Sequence, residues 1–183
     1  MAIKVAVLVG SFRKDSINQQ LAKALGKLGA GKFDFQILKI EELPFYNQDI
    51  DSGNPPAAAV KFRQDVAAAD AVLIVTPEYN RSVPGVLANA IEWGSRPYGQ
   101  GPILGKTGAL IGASIGKIGT AVAQAHLRGA FGFLDMKVMG QPEAYITVTP
   151  GLFDANNDVT DASVKDFLSG FLAKFEAWVA KNK

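Results

Sequence analysis

The run Val5-Ala6-Val7-Leu8-Val9 constrains this chain more than any other feature. It is apolar at consecutive positions, rich in β-branched residues and far too short to cross a membrane. That is the pattern of a strand buried on both faces. It stops at Gly10, and Ser11-Phe12-Arg13-Lys14-Asp15-Ser16-Ile17-Asn18 follow. Leu21, Ala22, Leu25 and Leu28 then recur at helical spacing. Strand, polar loop and helix start, in that order, aim unpaired amides and the positive end of a helix dipole at one point. Such a point attracts an anion, most often a phosphate. Ser11, Ser16 and Asn18 can add hydrogen bonds, and Arg13 a charge-assisted one. The plainer alternative is an ordinary connection with Ser16 as the helix cap.

The kind of phosphate loop follows by elimination. A dinucleotide fingerprint is absent, because Gly10 is the only glycine of the segment. The nearest approach to a Walker loop, Gly101 to Thr107, has a spacer one residue short and leads into a strand rather than out of one. A hydroxyl-rich loop after the first strand suits a terminal monophosphate, the way flavodoxin-like proteins hold FMN.

Further along, Phe33 to Ile40 alternates apolar and polar residues, as a strand near a sheet edge does. Glu41 to Pro56 reads as a long polar loop that carries Phe45 and Tyr46, and a loop of that length is expected to have a function or an interface. Residues 57–69 form a modest helix, and Ala71 to Thr76 a buried central strand. The next loop, Pro77-Glu78-Tyr79-Asn80-Arg81-Ser82-Val83-Pro84-Gly85, is held by two prolines, with Pro84 placed for the first turn of a helix that runs to about Trp93. Thr107 to Ser114 is a fourth strand, Gly116 to Thr120 a glycine-flexed turn, and residues 120–133 a helix. Strand material at 136–139 and 144–149 is split by Gly140 and Pro142. The last helix carries a stripe of Val164, Phe167, Leu168, Phe171, Leu172, Phe175, Trp178 and Val179, with Thr160 as its expected cap and Val159 with Val164 as a staple.

Strands alternating with helices imply an α/β fold: a flavodoxin-like, five-stranded parallel sheet in the order 2-1-3-4-5, with helices on both faces. One such domain accounts for residues 1–183. The order reverses between strands 1 and 3, so the loops after those strands open on one crevice, with Ser114 and Gly116 beside them.

Composition removes several other classes. The 183 residues contain no cysteine, which excludes disulfides, thiolate metal sites and a cysteine nucleophile, and no metal site is expected. A net charge of +2 is spread along the chain without a basic run, so no nucleic-acid partner is expected. The first apolar run ends in charged residues and no membrane span is present, so a cytoplasmic location is expected. His126 is the one histidine, lies within a helical pattern, and reads as a packing or surface residue.

Three strings, Gly10 to Asn18, Thr76 to Gly85 and Gly94-Ser-Arg-Pro-Tyr-Gly99, resemble the motifs of the NAD(P)H-dependent FMN reductases, and most closely their bacterial quinone/chromate reductase branch. The resemblance spans nearly the whole chain. It implies that residues 11–18 bind the FMN phosphate, that Pro77, Glu78, Tyr79 and Asn80 line the isoalloxazine, and that Ser114, with Gly116, touches the flavin. It also implies a homodimer or homotetramer, NADPH or NADH as co-substrate, and a quinone-like acceptor, with chromate, azo compounds or free flavin as further oxidants. No catalytic side chain is required, because the cofactor carries the chemistry. The chain departs from the branch at Lys117 and Thr120, on the rim of the expected site. The alternative is a flavodoxin-like electron carrier without turnover, although such carriers lean acidic and this chain does not.

Overall fold

In the computed structural model, which describes residues 1–182, the strands are β1 (Ile3–Val9), β2 (Phe33–Ile37), β3 (Ala71–Val75), β4 (Thr107–Ser114), β5 (Lys137–Val138) and β6 (Tyr145–Thr147). The helices are α1 (Ile17–Leu28), α2 (Gln48–Asp51), α3 (Ala57–Ala68), α4 (Gly85–Gly94), α5 (Ala121–Phe133) and α6 (Ala162–Lys181). All strand pairs are parallel, and the sheet order is β2-β1-β3-β4-β5, as the alternation of elements implies. The fifth position is shared. Both β5 and β6 pair with β4, at Thr107–Lys137 and again at Gly112–Tyr145. Between them the chain leaves the ladder at Gly140 and Pro142, the latter having no N–H to give it.

The central strands carry unbroken apolar runs because each face packs on a different core. Val5, Val7 and Val9 of β1 point into one cluster, with Leu21 and Leu25 of α1 and Phe171 and Phe175 of α6. Ala6 and Leu8 point into the other, with Phe62 of α3, Leu87 and Trp93 of α4 and Leu127 of α5. Burying a side chain of this size stabilises by about 1.5–3 kcal/mol. Of the α6 stripe, Leu168, Phe171, Leu172, Phe175 and Val179 are buried, whereas Phe167 is 38% exposed.

Asp161, and not Thr160, caps α6, accepting from Val164 N at 3.0 Å. The Thr160 hydroxyl donates to the Gly151 carbonyl at 2.7 Å instead, so it is committed to the preceding turn.

The segment from Glu41 to Pro56 is more structured than a polar loop. It holds part of a 3₁₀ turn (Ile40–Glu42) as well as α2. Asn89 Nδ2 and Trp93 Nε1 both donate to the Pro44 carbonyl, at 3.0 and 2.8 Å, and Tyr46 N donates to Asn89 Oδ1 at 2.8 Å. The Tyr46 ring meets Trp93 edge-on at 5.1 Å, while Phe45 is 86% exposed. No helix among the described residues is long and apolar enough to cross a membrane.

Candidate functional site

Three connections meet at the carboxyl-terminal edge of the sheet, following β1, β3 and β4. The first is pressed against the second. Gly10 N donates to Val75 O at 3.0 Å, and a Cβ on Gly10 would stand 3.0 Å from Pro77 Cδ and 3.3 Å from Pro84 Cγ. A side chain there would have to push both proline rings back by a few tenths of an ångström.

Within the first loop Ser11 and Ser16 are buried, and Phe12, Arg13, Lys14 and Asp15 are exposed. Ser16 caps α1, its Oγ accepting from Gln19 N at 3.2 Å, which leaves its own O–H free to donate. Gln19 Nε2 reaches back to the Ser11 carbonyl at 3.2 Å and closes the loop. The backbone N–H groups of Ile17 and Asn18, in the first turn of α1, have no hydrogen-bond partner among the described residues. Asn18 is used differently. Its side chain is buried, Nδ2 donates to Ala113 O and Oδ1 accepts from Ala113 N, each at 2.9 Å. The amide that the sequence offers to a ligand ties α1 to the end of β4.

The second loop turns sharply at Asn80 and Arg81, whose φ values are +52° and +57°. Tyr79 and Ser82 exchange backbone hydrogen bonds across them, as in a type I′ turn. Tyr79 Oη donates to Ser11 Oγ at 3.3 Å, joining this loop to the first. The Glu78 carboxylate is only 5% exposed and fully engaged. Its Oε2 accepts from the N–H groups of Val122 and Ala123, at 2.9 and 3.1 Å, and its Oε1 from Arg81 Nη1 at 2.9 Å. Burial works to raise its pKa. The Ala123 amide, the Arg81 guanidinium and the Val122 amide more than offset that and hold it below the usual carboxylate range. Glu78 is thus an ionised helix cap, not a base awaiting a proton.

In the third loop Gly116 N donates to Ser114 Oγ at 3.1 Å, and Gly119 adopts a φ of +61°. A cavity of about 520 Å³ lies between the second and third loops, lined by Glu78, Asn80, Arg81 and residues 114–119. Ile115 also lines a second cavity, of about 460 Å³, with Ile17, Gln20 and residues 148–153. The Gly94–Gly99 segment lies elsewhere, around a cavity it shares with Leu104 and residues 133–135. His126 is exposed on α5.

The crevice suits a ligand with an anion at one end and a flat body at the other. Free first-turn amides, two hydroxyls and the exposed Arg13 and Lys14 supply the donors that a phosphate monoester requires. The backbone of residues 77–80 and the glycine-flexed third loop flank the space beside it. FMN has this form, and the donor set fits it.

Comparison with known proteins agrees with that geometry. The family profile for NADPH-dependent FMN reductase matches residues 3–150. A 2-hydroxy-1,4-benzoquinone reductase from a Burkholderia species is 51% identical over 183 residues, covering 100% of both chains. A quinone reductase from Escherichia coli is 38% identical, covering 99% of this chain and 97% of its own. Among solved structures, the flavoenzyme NAD(P)H:(acceptor) oxidoreductase FerB from Paracoccus denitrificans superposes with a TM-score of 0.95 at 44% identity, with 99% of each chain covered. The chain belongs to the NADPH-dependent FMN reductase family, and is an oxidoreductase that works with FMN and NAD(P)H.

Proposed function

We propose that this protein reduces quinones with NADPH or NADH by a ping-pong cycle, NAD(P)⁺ leaving before the acceptor binds. In balance, NAD(P)H gives up a hydride, and the quinone takes two electrons and two protons, the second proton coming from solvent. Bound FMN would supply the hydride acceptor and two-electron relay that no side chain here provides. The observation that carries this reading is the convergence of the anion-binding loop and the Pro77–Asn80 loop on one crevice, locked together through Tyr79 and Ser11. Ser11, Ser16 and the amides of Ile17 and Asn18 hold the phosphate, with Phe12 to Asp15 around it. Pro77, Glu78, Tyr79 and Asn80 present mostly backbone to the ring, and Ser114 and Gly116 close the third side. The Asn18 side chain is spent on tying the loop to β4, so Asn18 serves the phosphate through its backbone amide.

The protein works in the cytoplasm, as one folding unit over the whole chain. It self-associates as a homodimer or homotetramer. Supporting this, Tyr98 and Phe133, 79% and 75% exposed, line one surface cavity together and place two aromatic rings side by side at the surface. Chromate, azo compounds and free flavin are secondary acceptors.

The test is an absorbance spectrum of the FMN-loaded protein before and after anaerobic NADPH. Bleaching of the flavin band, then its return on adding a quinone, is expected. A flavin that stays oxidised would instead identify an electron carrier.

A further inference from the structure

The cavity beside Glu78 is cationic at its rim. Three ionisable residues line it: Glu78, Arg81 and Lys117. The negative one is spent, since Glu78 is buried with one oxygen on Arg81 and the other on two amides of α5. Arg81 is 62% exposed and commits a single nitrogen to that pair. Lys117 is exposed and forms no ion pair among the described residues. It sits between Ile115 and Ile118, which are 83% and 48% exposed. One rim therefore offers positive charge flanked by apolar side chains. An inorganic oxyanion matches the charge alone, and an uncharged quinone matches the apolar part alone. A flat conjugated anion matches both.

We propose that this rim selects hydroxyquinones in their ionised form, with Lys117 as the specificity-determining residue. The inference rests on the quinone reading above. A 2-hydroxy-1,4-quinone is a vinylogous acid and is deprotonated at neutral pH. Its negative charge spreads over the conjugated oxygens and makes the ring a poorer acceptor of electrons. An ammonium group beside those oxygens draws density out of the ring and offsets that loss. The anion then takes up a hydride equivalent and two protons to give the neutral triol.

The experiment compares wild-type holoenzyme with Lys117→Gln and Lys117→Arg, using ionised 2-hydroxy-1,4-naphthoquinone and uncharged menadione. KM and kcat are measured for each. Binding of the hydroxyquinone to the oxidised holoenzyme, without NADPH, is followed through the flavin absorbance. Lys117→Gln is expected to raise KM and Kd for the ionised quinone by roughly 2- to 5-fold, and by less for menadione, as an exposed charge interaction would. Lys117→Arg restores most of the difference, and added salt shrinks the wild-type preference. An equal change for both quinones, no change, or a loss that Lys117→Arg does not restore overturns the inference while leaving quinone reduction standing. Failure of wild-type enzyme to reduce either quinone overturns both.

Discussion

Glu78 and Val122, forty-four positions apart, are joined by a carboxylate that accepts the first-turn amide of α5 at 2.9 Å. The same oxygen takes Ala123 N, so one side chain at the start of the second loop also caps α5, where the third loop ends. Charge-assisted bonds of this kind contribute about 1.5–3 kcal/mol. Glu78→Ala is expected to cost about 2 kcal/mol, read as a lower urea midpoint of the FMN-free protein at pH 7. The pH dependence has a definite sign. The folded pKa is depressed, so the stabilisation is complete above the ordinary carboxylate value and disappears as pH falls through the folded value. Glu78→Gln should therefore flatten the acid side of the stability profile, and a variant with the wild-type acid slope would contradict the cap.

Asn18 yields the second prediction. Ala113 is 1% exposed, and both its N–H and its carbonyl depend on the Asn18 amide. Asn18→Ala strands two buried backbone groups, and roughly 3 kcal/mol of stability should go with them. For a chain of this size that is a fall in Tm of about 6–12 °C. Asn18→Asp keeps the acceptor for Ala113 N but sets an oxygen against Ala113 O, so it should not restore the melting temperature. A melting temperature unchanged in Asn18→Ala would remove the tie from the account of the loop.

The third prediction concerns the anion end of the crevice. Ser16 caps α1 and keeps a hydroxyl proton to donate. Ser16→Ala is expected to weaken FMN binding about 10-fold, equivalent to one charge-assisted hydrogen bond of about 1.4 kcal/mol. Riboflavin, which has the ring but no phosphate, should be almost indifferent to the change. Fluorescence titration of both flavins separates the cases. Equal losses would mean that the helix start had moved rather than that a phosphate contact had gone.

These residues mark what could be read from the chain. The strand order was legible because β1, β3 and β4 are buried on both faces, which leaves continuous apolar runs, and because helices separate them. The convergence of the loops followed from that order. The partners of Asn18 and Glu78 did not, since local patterns say nothing about a bond to a residue 95 or 44 positions away. Thr160 and Asp161 are both good capping residues side by side. A carbonyl at Gly151, contributed by tertiary structure, decided between them. The segment from Glu41 to Pro56 looked irregular because its order comes from Asn89 and Trp93, which lie outside it.

The same segment supplies the last prediction. Asp51, at the end of α2, meets Arg63 of α3 in a bidentate pair at 2.7 and 2.8 Å, with side chains 10% and 15% exposed. Arg63 also donates to Trp93 O at 3.0 Å and lies 5.2 Å from the Trp93 ring centre. The hydrogen bonds from Arg63 hold Asp51 below the usual carboxylate range, against the opposing effect of burial, with further help from the charges of Arg63 and Arg96. Its contribution is therefore present at neutral pH and is lost on acidification through the depressed value. Removing one partner leaves the other charge poorly solvated, so Asp51→Asn and Arg63→Met should each cost about 2 kcal/mol. In the double variant the two costs should not add, since neither charge is then left without its partner, and a coupling of about 1–2 kcal/mol is expected. Limited proteolysis gives the structural counterpart: each single variant should be cut faster between residues 41 and 56 than the wild type. Strictly additive costs with unchanged cleavage would show that Asn89 and Trp93 hold the segment without the ion pair.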